Sequence, residues 1–217
     1  MIRAKKFSSL FLNNYFHSET IMTRFVQAVA LTALCSVLSS SLVAQAPAAA
    51  PKAALPTTAP LVVTLLKDIE DVATKMVGLA KAIPAEKYDW RPSEGVRSVR
   101  EVMLHVASDN YLLPALAGTP APAATGIDLR DFKSVERFEK RALSRDSVIA
   151  ELERSFTYLG NVMAKTTAET LPSTVNMFGQ KSPLQDLWIT TTTHLHEHLG
   201  QSIAYARTNG VKPPWTK

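Results

Sequence analysis

Thr193-His194-Leu195-His196-Glu197-His198-Leu199-Gly200-Gln201 is the stretch on which the reading of this chain turns. His194 and His198 are four residues apart, so on a helix they stand one turn above each other on the same face. The flanking residues supply that helix: Leu187, Thr191, His194, His198, Gln201 and Tyr205 recur at three- and four-residue steps. Both imidazoles are therefore expected on its buried side. A buried imidazole needs a partner for each nitrogen, because an unsatisfied polar group in a core costs about 1–3 kcal/mol. A shared divalent cation would satisfy two stacked rings, but two ligands rarely hold one. A third has to come from elsewhere in the fold.

Working outward, Ser182 is the expected cap of this last helix, with Pro183 at its first position, and Asn209-Gly210 close it with a left-handed turn. Three more amphipathic stretches precede it. Leu61, Leu65, Ile69, Val72, Met76 and Leu79 form the first stripe, which Pro84 ends. Ser98-Val99-Arg100-Glu101 is a capping box that starts the second helix near Val99, with Val102, His105, Val106, Asp109, Leu112 and Leu116 along one side. Pro114 falls in its last turn. Ser144 caps the third helix, which runs to about Lys165 with Val148, Leu152, Phe156, Leu159 and Met163 inward. Between the second and third lies a long polar span, Thr125 to Leu143, with room for a short helix at Ser134 to Arg141. A connection of that length fits a crossover rather than a simple hairpin. Leu171 to Lys181 reads as an irregular or briefly extended loop, and the tail Pro213-Pro214-Trp215 is expected to fold back. With no sustained strand pattern, the fold class is all-α: a four-helix bundle over 61–217 with a long crossover between its second and third helices.

The first 46 residues read as a leader. Arg24 precedes an apolar run, Phe25 to Val43, and Ala44-Gln45-Ala46 closes it: the three parts of a secretory signal peptide. Met22 is a candidate start. The alternative is an uncleaved anchor, since the run approaches spanning length; its Ser, Thr and Gln content and the Ala-x-Ala close favour cleavage. Residues 47–60 form an Ala/Pro-rich linker with little to bury. A secreted or periplasmic protein without a lasting membrane span is the expectation. Cys35, the one cysteine, would leave with the leader, and with it any thiolate ligand or nucleophile. So would most of the basic excess. Setting aside Arg3, Lys5, Lys6, Arg24 and Glu19 leaves 20 basic against 18 acidic residues, too even for a nucleic-acid footprint.

Among the five histidines, His105 on the second helix's inward stripe is the natural third ligand. Three protein ligands leave a coordination position open, the pattern of catalytic zinc rather than a closed structural site. Asp109, one turn after His105, is a candidate base or supporting acceptor; the alternative is a surface charge. Gln201 and Tyr205, further along the histidine stripe, are candidate substrate contacts. His196 points roughly 200° away from its neighbours and, like Glu197, is placed outside the ligand set. His17 belongs to the leader. No His-Glu-x-x-His sequence occurs, so the zinc-protease template does not apply.

Trp90-Arg91-Pro92 leading through Ser98 to His105, followed by His194-x-x-x-His198-x-Gly200-Gln201, resembles the DinB-like superfamily over Leu61 to Lys217. The resemblance implies a four-helix bundle with His105, His194 and His198 as metal ligands. It also implies homodimers and a range of activities, including thiol S-transferases and maleylpyruvate isomerases, on small-molecule substrates. Zinc ranks first as the metal, with nickel, iron and manganese also suited to imidazole. Leu199 stands where the family motif often has arginine. Export sits poorly with cytosolic thiol cofactors and favours hydrolysis or group transfer. A non-catalytic metal-binding or dimerisation module is the competing expectation.

Overall fold

The computed structural model describes residues 57–216. The leader with its cleavage site, Cys35 and most of the Ala/Pro linker lie outside that range. The elements are α1 (Pro60–Ala82), α2 (Val99–Leu116), α3 (Lys133–Glu139), α4 (Arg145–Met163), β1 (Thr174–Met177), β2 (Gln180–Pro183) and α5 (Leu184–Thr208). Among the described residues no helix is long and apolar enough to cross a membrane.

Four of the helices form the bundle. α1 packs on α4 and α5, and α2 packs on the same two from the opposite corner. Polar ties give the directions. Arg97 meets Glu139 just before the starts of α2 and α4, Tyr111 meets Glu151 in mid-helix, and Tyr158 donates to Thr119 O beyond the end of α2. These contacts advance together, so α2 and α4 run parallel. Against α5 the order reverses: Asp109 meets His194, and Tyr205 donates to Arg97 O. α2 and α5 are antiparallel. The crossover follows directly, because a chain leaving the far end of α2 must return to the near end before α4 can begin alongside it. Residues 117–144 make that return, with α3 laid against α2 on the way.

Local chemistry sets the helix ends. The Ser98 capping box forms as its spacing requires: Oγ accepts from Glu101 N (3.2 Å) and Glu101 Oε2 accepts from Ser98 N (2.6 Å). Ser144 caps α4 through Ser147 N. The start of α5 differs from expectation. Pro183 is the cap position and Ser182 belongs to β2, because the preceding loop is extended enough to pair. That loop, expected to be irregular or briefly extended, is a hairpin in which Thr174 to Met177 pair with Pro183 to Gln180. Its strands carry few apolar residues, so no alternation marks them. Its turn is Phe178-Gly179, both at positive φ (53° and 93°), and a left-handed aromatic is not a turn signal.

The core is built from the expected stripes: Ile69, Val72, Met76 and Leu79 of α1, Val102 and Val106 of α2, Val148, Leu152, Leu159 and Met163 of α4, and Leu187 of α5. At the top of α1, Val62 is the buried residue rather than Leu61 or Leu65. Ahead of α1, Ala59 is buried and its N–H donates to Thr166 O (2.9 Å), which fastens the chain to the end of α4. At the other terminus Pro214 lies against Gly78, where an added Cβ would meet the ring at 3.2 Å.

Candidate metal centre

On α5 the buried positions are Leu184, Leu187, Trp188, Thr191, Thr192, Leu195, Leu199, Ser202, Tyr205 and Ala206. His194 and His198 are half-buried beside that row rather than in it. They lean toward the middle turns of α2, where His105 and Asp109 stand one turn apart. Because α2 and α5 are antiparallel, one turn of each meets one turn of the other: His105 lies against His198 (ring centroids 4.5 Å) and Asp109 against His194. The fold thus brings together two i, i+4 pairs separated by 85 residues or more.

Their inner atoms converge. His194 Nε2 is 3.2 Å from His198 Nε2 and 2.9 Å from Asp109 Oδ2, which is itself 3.2 Å from His105 Nε2. One ligand atom from each of the four residues lies within 4.8 Å of all the others. Donors held by one ion at bonds of about 2.0–2.2 Å are separated by such distances. The outer nitrogens are each turned to an acceptor: His105 Nδ1 to Glu139 Oε1 (2.7 Å), His198 Nδ1 to Gln201 Oε1 (2.9 Å) and His194 Nδ1 to Glu197 Oε2 (3.4 Å). An Nδ1–H engaged in this way leaves the Nε2 lone pair free to face inward. Two such lone pairs 3.2 Å apart repel unless a proton or a cation lies between them. The donor set therefore fits a divalent metal.

Titration follows the same contacts. The Asp109 hydrogen bond, helped by Glu197, holds His194 above its ordinary value despite burial, whereas burial pushes His198 down. Burial also works to raise Glu139, but hydrogen bonds from His105 and Arg97 outweigh it and keep the carboxyl below its usual range.

Asp109 is 8% exposed and bonded to both helices' histidines, which excludes the surface-charge alternative. Gln201 and Tyr205 stand behind His198 rather than in the cavity above the site. Gln201 Nε2 donates to Tyr205 OH (3.2 Å), Tyr205 OH donates to Arg97 O (3.1 Å), and Trp90 packs edge-on against the Tyr205 ring at 5.3 Å. This relay ties the loop before α2 to the last turns of α5 and so sets how far apart the two metal-facing turns lie. His196 is outside the cluster and meets Asp68 at the surface (3.0 Å). Glu139 and Arg97, joined at 2.9 Å, were not singled out in the sequence. The usable signal for Glu139 was its place next to Phe138, on the inward side of the short helix.

A cavity of about 430 Å³ opens onto His105, Asp109 and His194, with Arg97 and Glu139 in its wall.

The sequence profile of the DinB superfamily matches residues 68–202, which span the site from α1 through His198 and Gln201. The chain belongs to the DinB superfamily. Solved structures with the same fold include a DinB-like protein of Bacillus cereus ATCC 10987 (15% identity, 70% of this chain and 95% of that one, TM-score 0.54). An uncharacterised protein of Escherichia coli UTI89 is similar at 18% identity over 71% of this chain and 98% of that one, TM-score 0.52. A mycothiol-dependent maleylpyruvate isomerase is similar at 14% identity over 64% of this chain and 59% of its own, TM-score 0.52. At these identities the likeness is one of fold. No sequence among curated proteins matches the chain.

Proposed function

We propose that this DinB-superfamily protein is a metal-dependent enzyme acting on a small molecule by hydrolysis or group transfer. His105, His194, His198 and Asp109 are the groups that would hold one divalent cation, zinc first and nickel, iron or manganese next. The observation that carries the reading is the inward convergence of three Nε2 atoms and one carboxylate oxygen, each ring having its outer nitrogen engaged. The cation would supply Lewis acidity at the floor of the cavity. Glu139, Gln201 and Glu197 hold the imidazole tautomers, and the Glu139–Arg97 pair fixes the carboxylate that orients His105. Asp109 Oδ2 lies 2.9 Å from His194 Nε2, and a bound cation would replace that direct contact.

The test is elemental analysis of the purified protein beside His105→Ala. About one metal per chain, lost in the variant, supports the reading; a variant that keeps its full complement overturns His105 as a ligand. The thiol-dependent isomerisation of the mycothiol enzyme is not carried over, given the identity and the expected export. Export and a homodimer remain part of the proposal. N-terminal sequencing of the native protein checks the first, and light scattering checks the second.

A second reading, a non-catalytic metal-binding module, is favoured by one observation: four donors suffice to close a tetrahedral site. Under that reading, chelation unfolds the domain and small oxygen ligands cannot reach the metal. The enzyme reading expects the fold to survive and such ligands to bind.

A further inference from the structure

The cavity over the metal-facing turns is mixed in chemistry. His105, Asp109 and His194 line it together with the polar Arg97, Glu136, Glu139 and Thr190, and Leu112, Leu113 and Val135 add an apolar share. At the mouth stand Phe132, just before α3, and Phe178, at the tip of the hairpin, with ring centroids 6.5 Å apart. They are 57% and 59% exposed. Each ring thus forgoes about half of the roughly 1.5–3 kcal/mol that full burial of its side chain contributes. Phe178 is moreover held at φ 53°, a left-handed conformation that costs a residue with a Cβ about 1–2 kcal/mol. The turn is secured by Gly179 N donating to Asn176 Oδ1 (2.8 Å). The same two rings also line a second cavity of about 560 Å³, with Ala115, Leu116, Leu129 and the polar Asn176. From Asp109 to Leu116 along α2 is about 10 Å.

We infer that the site takes an amphiphile: a small oxygen-bearing head at the floor and an apolar acyl tail against the apolar lining, with Phe132 and Phe178 closing over the tail. The inference rests on the metal-centre reading for the head and adds the chemical class of the ligand. The exposed rings then gain, on ligand binding, the burial they forgo in the free protein. Phe178 selects the tail through hydrophobic contact alone.

The experiment titrates zinc-loaded protein with acetohydroxamate and octanohydroxamate by calorimetry. Six further methylenes, partly buried, give the longer probe an affinity at least 30-fold greater. Phe178→Gly removes the ring and the left-handed strain together, so the variant folds at least as well. It brings the ratio below about 5-fold while leaving acetohydroxamate unchanged. Equal affinities for the two probes, or a ratio untouched by Phe178→Gly, overturn the inference. A parallel titration of octanohydroxamate in EDTA, followed by the amide shifts of Leu112, Leu116 and Gly179, reads tail seating without metal. Saturable shifts there in a protein that binds no zinc sink the metal reading alone. Zinc binding without those shifts sinks this one.

Discussion

Two charged clusters flank α2, and they differ in what their polar atoms face. Tyr111 lies two residues after Asp109, about 200° round the helix, and faces α4. There its hydroxyl donates to Glu151 Oε1 (2.9 Å) and Arg141 donates to Glu151 Oε2 (3.0 Å), while the Arg141 guanidinium lies 3.6 Å from the centre of the Phe138 ring. Every acceptor in that cluster meets a donor, so it is complete as folded. On the other side of the helix, the atoms that meet are of one kind: His198 Nε2 faces His194 Nε2 at 3.2 Å, and Asp109 Oδ2 alone serves two imidazoles. Burial is similar in the two places, and Glu151 and Asp109 are equally enclosed. What separates a structural tie from a ligand site here is the direction of the polar atoms, not their burial.

The sharpest way to break this comparison is to remove donors from the open cluster. His194→Ala with His198→Ala is expected to lower metal affinity at least 1000-fold, about 4 kcal/mol, in a competition titration against a chromophoric chelator. Unchanged affinity would place the metal elsewhere. The matching change in the closed cluster, Glu151→Ala, leaves Arg141 and Tyr111 without their partner and should cost about 3 kcal/mol in urea unfolding. Metal stoichiometry should not move.

Glu139→Gln is milder. It keeps an acceptor of similar shape beside His105 but removes the charge, and about a 10-fold loss of metal affinity at intact stoichiometry is expected. Loss of stoichiometry would make Glu139 a ligand instead. Acid provides a smaller effect. Burial tends to raise Glu151, but the Tyr111 and Arg141 hydrogen bonds outweigh it and hold the carboxyl below its ordinary value. A carboxyl lowered by folding stabilises the protein above its unfolded pKa, about 4.3, and that contribution is lost as pH falls through the folded value. The stability gap between wild type and Glu151→Gln should therefore close below about pH 4. A gap constant down to pH 3 would mean that the charge contributes nothing. The smallest effect belongs to the surface pair: His196→Ala, which removes only the Asp68 contact, should shift unfolding by less than about 0.5 kcal/mol and leave metal affinity alone.

Much of this could be read from residue order. The stripes of α1, α2 and α4, the Ser98 capping box and the Ser144 cap are local, and local spacing dictates them. The i, i+4 pair His194 and His198 is local too, and so is the step from His105 to Asp109. Less legible was the half-buried placement of the α5 histidines, because a helical stripe does not say which neighbour its edge will lean on. Ser182 looked like a cap since Ser-Pro before an apolar run normally is one; pairing with Thr174 to Met177 placed it in a strand instead. Gln201 and Tyr205 share the histidine stripe, yet they serve as the relay behind His198, because the loop at Trp90 and Arg97 covers that end of α5.

By itself, then, the amino-acid sequence determined the helices, their caps and the residue types able to bind a cation, since each depends on neighbours within a turn. Only the tertiary structure decided that α2 and α5 run antiparallel with His105 opposite His198 and Asp109 opposite His194. It also brought Glu139 in from the crossover to hold His105, and stood Phe132 and Phe178 over the cavity. These are contacts between residues 34 to 93 apart in the chain, and no local period encodes the direction in which a helix returns.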